Sequence, residues 1–305
     1  MADLDQLVSL SVKVTGHVAE VTLLGPSKGN AMGPDFWREL PLVFGALDAD
    51  PQVRAIVLTG SGANFSYGLD LPAMMPSWAE LLGADPALAE PRTRFLHDLR
   101  RLQDSVTAVA ACRKPVIAAV SGWCIGGGVD VIAAADIRLA SADAKFSVRE
   151  VKVAIVADLG SLQRLVGIIG EGHLRELAFS GRDIDARRAE KINLVNDVYE
   201  TQDDVLAAAR ALAEEIAANP PLVVQGVKDV LDTARAPQIA AGLRYVGAWN
   251  SAFLPSKDLG EAAAAFFERR PEVQRRVTRQ PLRSGPALSR LIRTRTRWSR
   301  TIAAR

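Results

Sequence analysis

Ser121-Gly122-Trp123-Cys124-Ile125-Gly126-Gly127-Gly128-Val129-Asp130 is the stretch on which the reading of this chain turns. The apolar run Pro115-Val-Ile-Ala-Ala-Val120 precedes it, bounded by the proline and by Ser121-Gly122, and reads as a buried strand. Three consecutive glycines then permit a sharp turn and leave unpaired N–H groups at a helix start, where partial positive charge collects. From Val129 to Ala135 the chain reads as a helix that is apolar all round except for Asp130. A lone buried carboxylate is costly unless it has a partner or a task. Amide donors beside a buried acid suit a reaction that passes through an oxyanion and a proton transfer. The same ten residues suit equally well a tight strand-to-helix turn with aspartate in the first helical turn.

The 305 residues allow one large core, or a main domain with a smaller one, and 49% apolar with 24% charged residues is ordinary for a globular protein. The net charge of +2 hides an asymmetry: residues 269–305 hold twelve arginines and one glutamate, so the body before them carries about −9. Cys112 and Cys124 are the two cysteines, each among apolar or small neighbours, which predicts buried thiols in a reducing compartment and neither a disulfide framework nor a zinc site. The start Met1-Ala-Asp-Leu-Asp is acidic and lacks a signal-peptide core, and no run reaches 18 apolar residues. These features together predict a cytoplasmic protein.

Outward from the glycine turn, Val8–Val14 and Val18–Leu24 alternate around Thr15-Gly16 as a hairpin, and Asn30–Asp48 has helical periodicity. Val53–Leu58 is a strand closed by Thr59-Gly-Ser-Gly62. Residues 71–112 read as helical but interrupted at Pro76, Pro86 and Pro91, with a mobile, mixed character. Asp136–Ala140 and Lys145–Val148 read as short strands, and helices follow from about Leu159 to Ile192. Asp204–Ala218, Pro221–Thr233 and Pro237–Phe253 read as three further helices. Strands alternating with helices, then helices alone, predict an α/β body over residues 1–200 and a helical region over 201–270. The arginine tail, 271–305, reads as a disordered solvated segment; contact with RNA or an anionic membrane is the sharper alternative, although Trp298 as its lone aromatic argues against a dedicated nucleic-acid module.

Asn64-Phe-Ser-Tyr-Gly68-Leu69-Asp70-Leu71 follows strand 53–58 as the first stretch follows strand 115–120, and two strand-end glycine turns can each present one N–H to a shared point. As a pair they resemble the crotonase superfamily, the enoyl-CoA hydratase/isomerase fold, from about residue 10 to 270. The resemblance implies a ββα spiral core with a C-terminal α-helical oligomerisation region. It implies that Leu69 and Gly127 supply the two N–H donors for an acyl thioester, with Gly68 and Gly128 beside them. Lys28-Gly-Asn-Ala31 resembles the family's entry segment near the CoA moiety, which makes Lys28 and Ala31 substrate-binding candidates. The acids that distinguish members of this family correspond here to Asp130, Glu150 and Asp158.

Each acid also has an ordinary explanation. Glu150 in Phe146-Ser-Val-Arg-Glu150 suits a solvated acid paired with Arg149 or Lys152, and Asp158 suits the N-cap of a helix beginning at 159. The set of Asp, Glu and Asp nonetheless resembles the Δ3,5-Δ2,4-dienoyl-CoA isomerase branch. So do Phe-Ser-Tyr-Gly-Leu-Asp-Leu, Val-Arg-Glu-Val, Ala-Asp-Leu-Gly-Ser-Leu-Gln-Arg and Tyr245-Val-Gly-Ala-Trp249-Asn250. Lys152 departs from the branch, which usually has an acid there, and its charge is expected to lower the basicity of Glu150. The resemblance implies an acyl-CoA isomerase of fatty-acid β-oxidation, a homotrimer or hexamer, with no metal or redox cofactor because CoA arrives as part of the substrate. Glu150 and Asp158 are the expected proton-transfer pair, with Asp130 orienting or tuning them. One rival is a 2-enoyl-CoA hydratase in which Asp130 and Glu150 activate water and Asp158 only caps a helix; another is a non-catalytic acyl-CoA-binding homologue. His17, His97 and His173 show no ligand spacing, and Ser66 and Ser121 lack the pattern of a serine nucleophile.

Overall fold

The computed structural model describes residues 6–25, 28–83 and 89–268. The expected hairpin is β1 (Leu10–Thr15) and β2 (Val18–Leu23), turning on Gly16 at φ +58°. Helix α1 (Pro34–Ala49) begins four residues later than its periodicity predicted. Asn30 stands at φ 53°, outside helical space, and its amide donates to the Ser61, Asn64 and Phe65 carbonyls. β3 (Ala55–Gly60) leads to α2 (Leu71–Gly83), which Pro76 does not end, and α3 (Glu90–Ala111), where Pro91 occupies the first turn that tolerates it. Pro86 and the arginine tail lie outside the described residues.

β4 (Val116–Val120), β5 (Trp123–Ile125) and α4 (Gly127–Ala134) form the glycine-turn unit. β6 (Ile137–Ser141) and β7 (Lys145–Ser147) repeat the strand pair and run into a 3₁₀ turn at Glu150–Val153. The expected helical stretch to Ile192 is broken into α5 (Ser161–Arg164), α6 (Val166–Ile169), α7 (Glu171–Ser180), the two-residue strand β8 (Ile184–Asp185) and α8 (Ala186–Lys191). Gly160 and Gly170 precede α5 and α7, and Gly181 ends α7, each at positive φ where the helical path must stop. A short strand that the alternation did not predict, β9 (Asp197–Tyr199), precedes α9 (Gln202–Ala217), α10 (Pro221–Thr233) and α11 (Ala236–Phe253). A further helix absent from the sequence reading, α12 (Lys257–Phe267), follows them.

The main sheet has the order β1-β2-β3-β4-β6-β9, parallel except for the hairpin, and β5-β7-β8 form a second, smaller sheet. Each of the passes β4–β5 and β6–β7 places one strand in either sheet before turning back, which generates a spiral of ββα units. β3 and β4 are buried along their whole length, and their two-residue period splits them between two cores. Ile56, Leu58, Val116, Ala118 and Val120 face the larger core, which α1, α3 and α4 help to build. Ala55, Val57, Ile117 and Ala119 face α9, whose stripe of Val205, Ala209, Ala213 and Ala217 lets the helix lie close on the sheet. The first helix of the C-terminal region therefore completes the α/β body. α10 and α11 instead turn apolar side chains outward, with Leu222 83% and Val230 74% exposed and Tyr245, Trp249 and Phe253 lying along α11.

Candidate active site

The ends of β3 and β4 are stitched together beyond the main sheet. Ser66 bridges Cys124 in parallel, the Phe65 N–H donates to the Ser121 carbonyl at 2.8 Å, and the Ile125 N–H donates to the Ser66 carbonyl at 3.0 Å. The segment after Lys28 runs alongside: Tyr67 N–H donates to the Gly29 carbonyl at 2.8 Å, and Met32 N–H to the Gly68 carbonyl at 2.7 Å. Lys28 is exposed on this turn and Ala31 is buried within it. The Asn30 amide described above clamps the loop after β3 from beneath, a role that no sequence spacing announced.

Gly68 stands at φ +79°, and a Cβ there would lie 2.5 Å from the Ile125 carbonyl oxygen and 3.1 Å from the Gly127 nitrogen. A Cβ on Gly127 would sit 3.6 Å from the Leu69 nitrogen. Glycine is thus required at 68, for backbone conformation and for close approach, whereas at 127 a Cβ would be in ordinary contact with Leu69 and would press on the Met32 sulfur at 3.2 Å. The pairing around Met32 uses the Gly68 carbonyl and the Asp70 N–H, so the Leu69 N–H is passed over; Gly127 opens α4 and has no preceding helical turn to donate into. Among the described residues neither N–H has an acceptor. Two adjacent free donors at a helix start can hold one oxyanion. Gly128 turns the place of its missing side chain inward, toward Ser66 and the Cys124 sulfur.

The three acids converge on the other side of this turn. Asp130 is 1% exposed on α4, and its Oδ1 accepts from the Ser161 N–H at 2.5 Å. It therefore serves the first amide of α5, while Gly160 occupies the N-cap position. Asp158, which the sequence allowed as a helix cap, does not cap this helix; its Oδ2 instead accepts from Asn250 Nδ2 at 2.6 Å. Glu150, at the start of the 3₁₀ turn, packs against the backbone of Gly126, where a Cβ would come within 3.4 Å of its Oε1, and its Oε2 is buried without a hydrogen-bond partner. The ordinary explanation for Glu150 fails as well. Arg149 is paired with Asp183 and lies 5.7 Å from the centre of the Trp123 ring, and the stem of Lys152 runs along Gly181 with its charge acting on Asp183.

Burial raises all three acids, and their mutual repulsion separates them. Burial lifts Asp130 to about 6 against the Ser161 hydrogen bonds and the Arg164 guanidinium, which favour its charge. Burial lifts Asp158 to about 7, with Asn250 opposing and Asp130 reinforcing the rise. Glu150, buried and facing both Asp130 and Asp158, is pushed up to about 8. Near neutrality the cluster therefore carries fewer charges than three acids hold in water, the condition in which one acid can donate while another accepts. A cavity of about 430 Å³ opens from Asp158 between apolar side chains that include Trp37, Met74, Phe95, Leu99 and Leu254. Met74, on α2, thus lines this space.

A fold of two linked sheets, paired free amides and buried acids defines the class. The sequence matches the enoyl-CoA hydratase/isomerase family over residues 13–275, and the chain belongs to that family. It is 44% identical over 258 residues, 84% of this chain and 87% of the relative, to a mitochondrial Δ(3,5)-Δ(2,4)-dienoyl-CoA isomerase of Dictyostelium discoideum. It is 42% identical to a peroxisomal protein of that name from Arabidopsis thaliana, over 81% of this chain and 88% of the relative. A human mitochondrial protein of that name is 41% identical, over 85% and 79% respectively. Among solved structures, an enoyl-CoA hydratase/isomerase from Xanthobacter autotrophicus Py2 superposes with a TM-score of 0.76 at 29% identity, covering 86% of this chain and 94% of that one.

The crotonase fold expected from the two glycine turns is therefore present. The cytoplasmic expectation is overturned, because these relatives are mitochondrial or peroxisomal. Cys112 and Cys124 are buried and free, and buried thiols do not distinguish one reducing compartment from another. Sequence reading also passed over Asn250, quoted only as part of a matching phrase, and Arg164, whose buried guanidinium acts on Asp130.

Proposed function

We propose that this chain is an acyl-CoA isomerase of fatty-acid β-oxidation that converts 3,5-dienoyl-CoA to 2,4-dienoyl-CoA. The observation that carries the reading is the meeting of three acids at separated proton affinities with two free backbone donors, in a chain 44% identical to a dienoyl-CoA isomerase. In this scheme Asp158 takes a proton from C2 of the substrate, and the electron pair spreads through the diene onto the thioester oxygen. The Leu69 and Gly127 N–H groups hold that oxyanion; one such donor is worth about 3–4 kcal/mol in catalysis. Glu150, protonated, delivers its proton to C6, the thioester carbonyl re-forms, and the double bonds stand at C2 and C4. Asp158 then returns its proton to solvent and Glu150 takes one up. Asp130 acts through charge, holding Glu150 protonated, and through Ser161 it anchors α5.

Lys28 and Ala31 flank the turn at which the CoA portion would enter, and the apolar cavity beside Asp158 would take the acyl chain. The hydratase alternative gave Asp158 only a capping role, and that role for α5 falls to Asp130. We further propose a homotrimer or a dimer of trimers that covers the exposed apolar faces of α10 and α11, since closed symmetry is the common solution for such faces. The function is tested by supplying a 3,5-dienoyl-CoA and a trans-2-enoyl-CoA in parallel. Gain of conjugation to the thioester in the first, far exceeding hydration in the second, supports the isomerase; the reverse ratio overturns it.

A further inference from the structure

Asp158 is tied to α11 at two points. Asn250, 2% exposed, donates from Nδ2 to Asp158 Oδ2 at 2.6 Å and to the Val156 carbonyl at 2.9 Å. Gln103 Nε2 on α3 donates to the Asp158 carbonyl at 2.8 Å and to the Leu243 carbonyl of α11 at 3.1 Å. The Asp158 carboxylate thus receives a neutral N–H donor. Glu150, the other acid of the proposed pair, has its Oε2 buried without a partner and receives only the backbone N–H groups of Arg149 and Glu150, which burial and the two neighbouring acids outweigh. The asymmetry matters because two interacting acids that hold one proton between them can place it on either member.

We propose that Asn250 is a positioning residue for the isomerase reaction, directing the shared proton onto Glu150 so that Asp158 stands ionised toward the substrate. An amide N–H donor stabilises the carboxylate that accepts it and gives a protonated acid less. The neighbouring charges do not replace it. Asp130 on α4 opposes ionisation of Asp158, and the Asp158 charge in turn raises Glu150 on the 3₁₀ turn. Among the described residues that line the same cavity, the charges are Arg38 on α1 with Asp98 and Arg101 on α3. Arg38 is paired with Asp35 and Glu39, and Arg101 with Asp98, so each cation already has an acid beside it. The donor on α11 therefore adds to the repulsion that holds a proton on Glu150, and it does so by acting on the Asp158 carboxylate directly.

The inference rests on the dienoyl-CoA isomerase reading, and its test separates the two. Wild-type isomerisation is measured first; without it the functional reading fails whatever Asn250 does. With it, pH profiles of kcat and kcat/KM are recorded for Asn250→Leu, which has no donor, and Asn250→Asp, which places a second acid beside Asp158. The acid limb should move up by about half to one pH unit in the first variant and further in the second, because the productive proton arrangement becomes scarcer. The height of the profile should fall several-fold, with KM changed by less than about twofold. Should Asn250→Leu not fold, the near-isosteric Asn250→Asp decides alone. Limbs that coincide with the wild type's, with only a uniform loss of rate or stability, would overturn the proposal and leave Asn250 a packing residue.

Discussion

Replacing Glu150 by glutamine should stabilise the folded protein in alkaline solution while stopping turnover. The folded state holds Glu150 up to about 8 from its ordinary 4.5, by burial and by the charges of Asp130 and Asp158. Between those values the native protein keeps a proton that the unfolded chain gives up. Its stability therefore stands in full below pH 4.5 and declines as pH rises toward 8. Each unit of displacement is worth about 1.4 kcal/mol, and because three neighbouring acids share the penalty, a loss on the order of 3 kcal/mol is expected for the wild type. Glutamine has no charge to bury, but its NH₂ enters a place where the Glu150 Oε2 has no partner, a cost of about 1–3 kcal/mol that does not depend on pH. The comparison that matters is thus the change between pH 5 and pH 9. Urea unfolding of both proteins at fixed concentration should show the variant gaining on the wild type by about 3 kcal/mol across that range, with the m-value unchanged. A difference that stays flat with pH would mean that Glu150 is ionised and solvated, and the acid–base scheme would lose its acid.

Gly68→Ala should lower kcat/KM by about 100-fold or more, because a Cβ 2.5 Å from the Ile125 carbonyl must displace the Leu69 N–H from its place beside Gly127; near-normal steady-state rates would remove this pair of donors from the scheme. Asp158→Asn keeps the side-chain volume but removes the base, so isomerisation should fall by at least about 100-fold while the far-ultraviolet spectrum is retained; turnover like the wild type's would return Asp158 to a structural role. Light scattering at micromolar protein should report the mass of three or six chains, and Leu222→Asp with Val230→Asp should dissociate them. A monomeric wild type would contradict that expectation.

Much of the site was legible because it depends on backbone chemistry that restricts residue choice. A glycine turn after a strand, met twice, marked Gly68–Leu69 and Gly126–Gly128, since few other residues permit a free N–H at such close approach. Carboxylates in apolar surroundings marked Asp130 and Asp158, whose burial has an energetic cost that invites explanation. What stayed hidden was long-range. Asn250 lies 92 residues from Asp158 and carries no local pattern that points to it. That Asp130 rather than Asp158 serves α5 depends on a contact across 31 residues. Asn30 looked like the start of a helix because periodicity alone does not reveal a positive φ. β9 and β8 were too short for alternation to register, and α12 was passed over beyond the end of α11.

The central claim is that one carboxyl removes a proton at C2 and a different one delivers a proton at C6. Conversion of a 3,5-dienoyl-CoA in deuterium oxide, followed by NMR of the product, tests it most directly. The account predicts a 2,4-dienoyl-CoA carrying solvent deuterium at C6, since the proton of Glu150 exchanges with water between turnovers. A product with a hydroxyl at C3, or a 2,4-dienoyl-CoA whose newly gained hydrogen at C6 is the one that left C2, would contradict it.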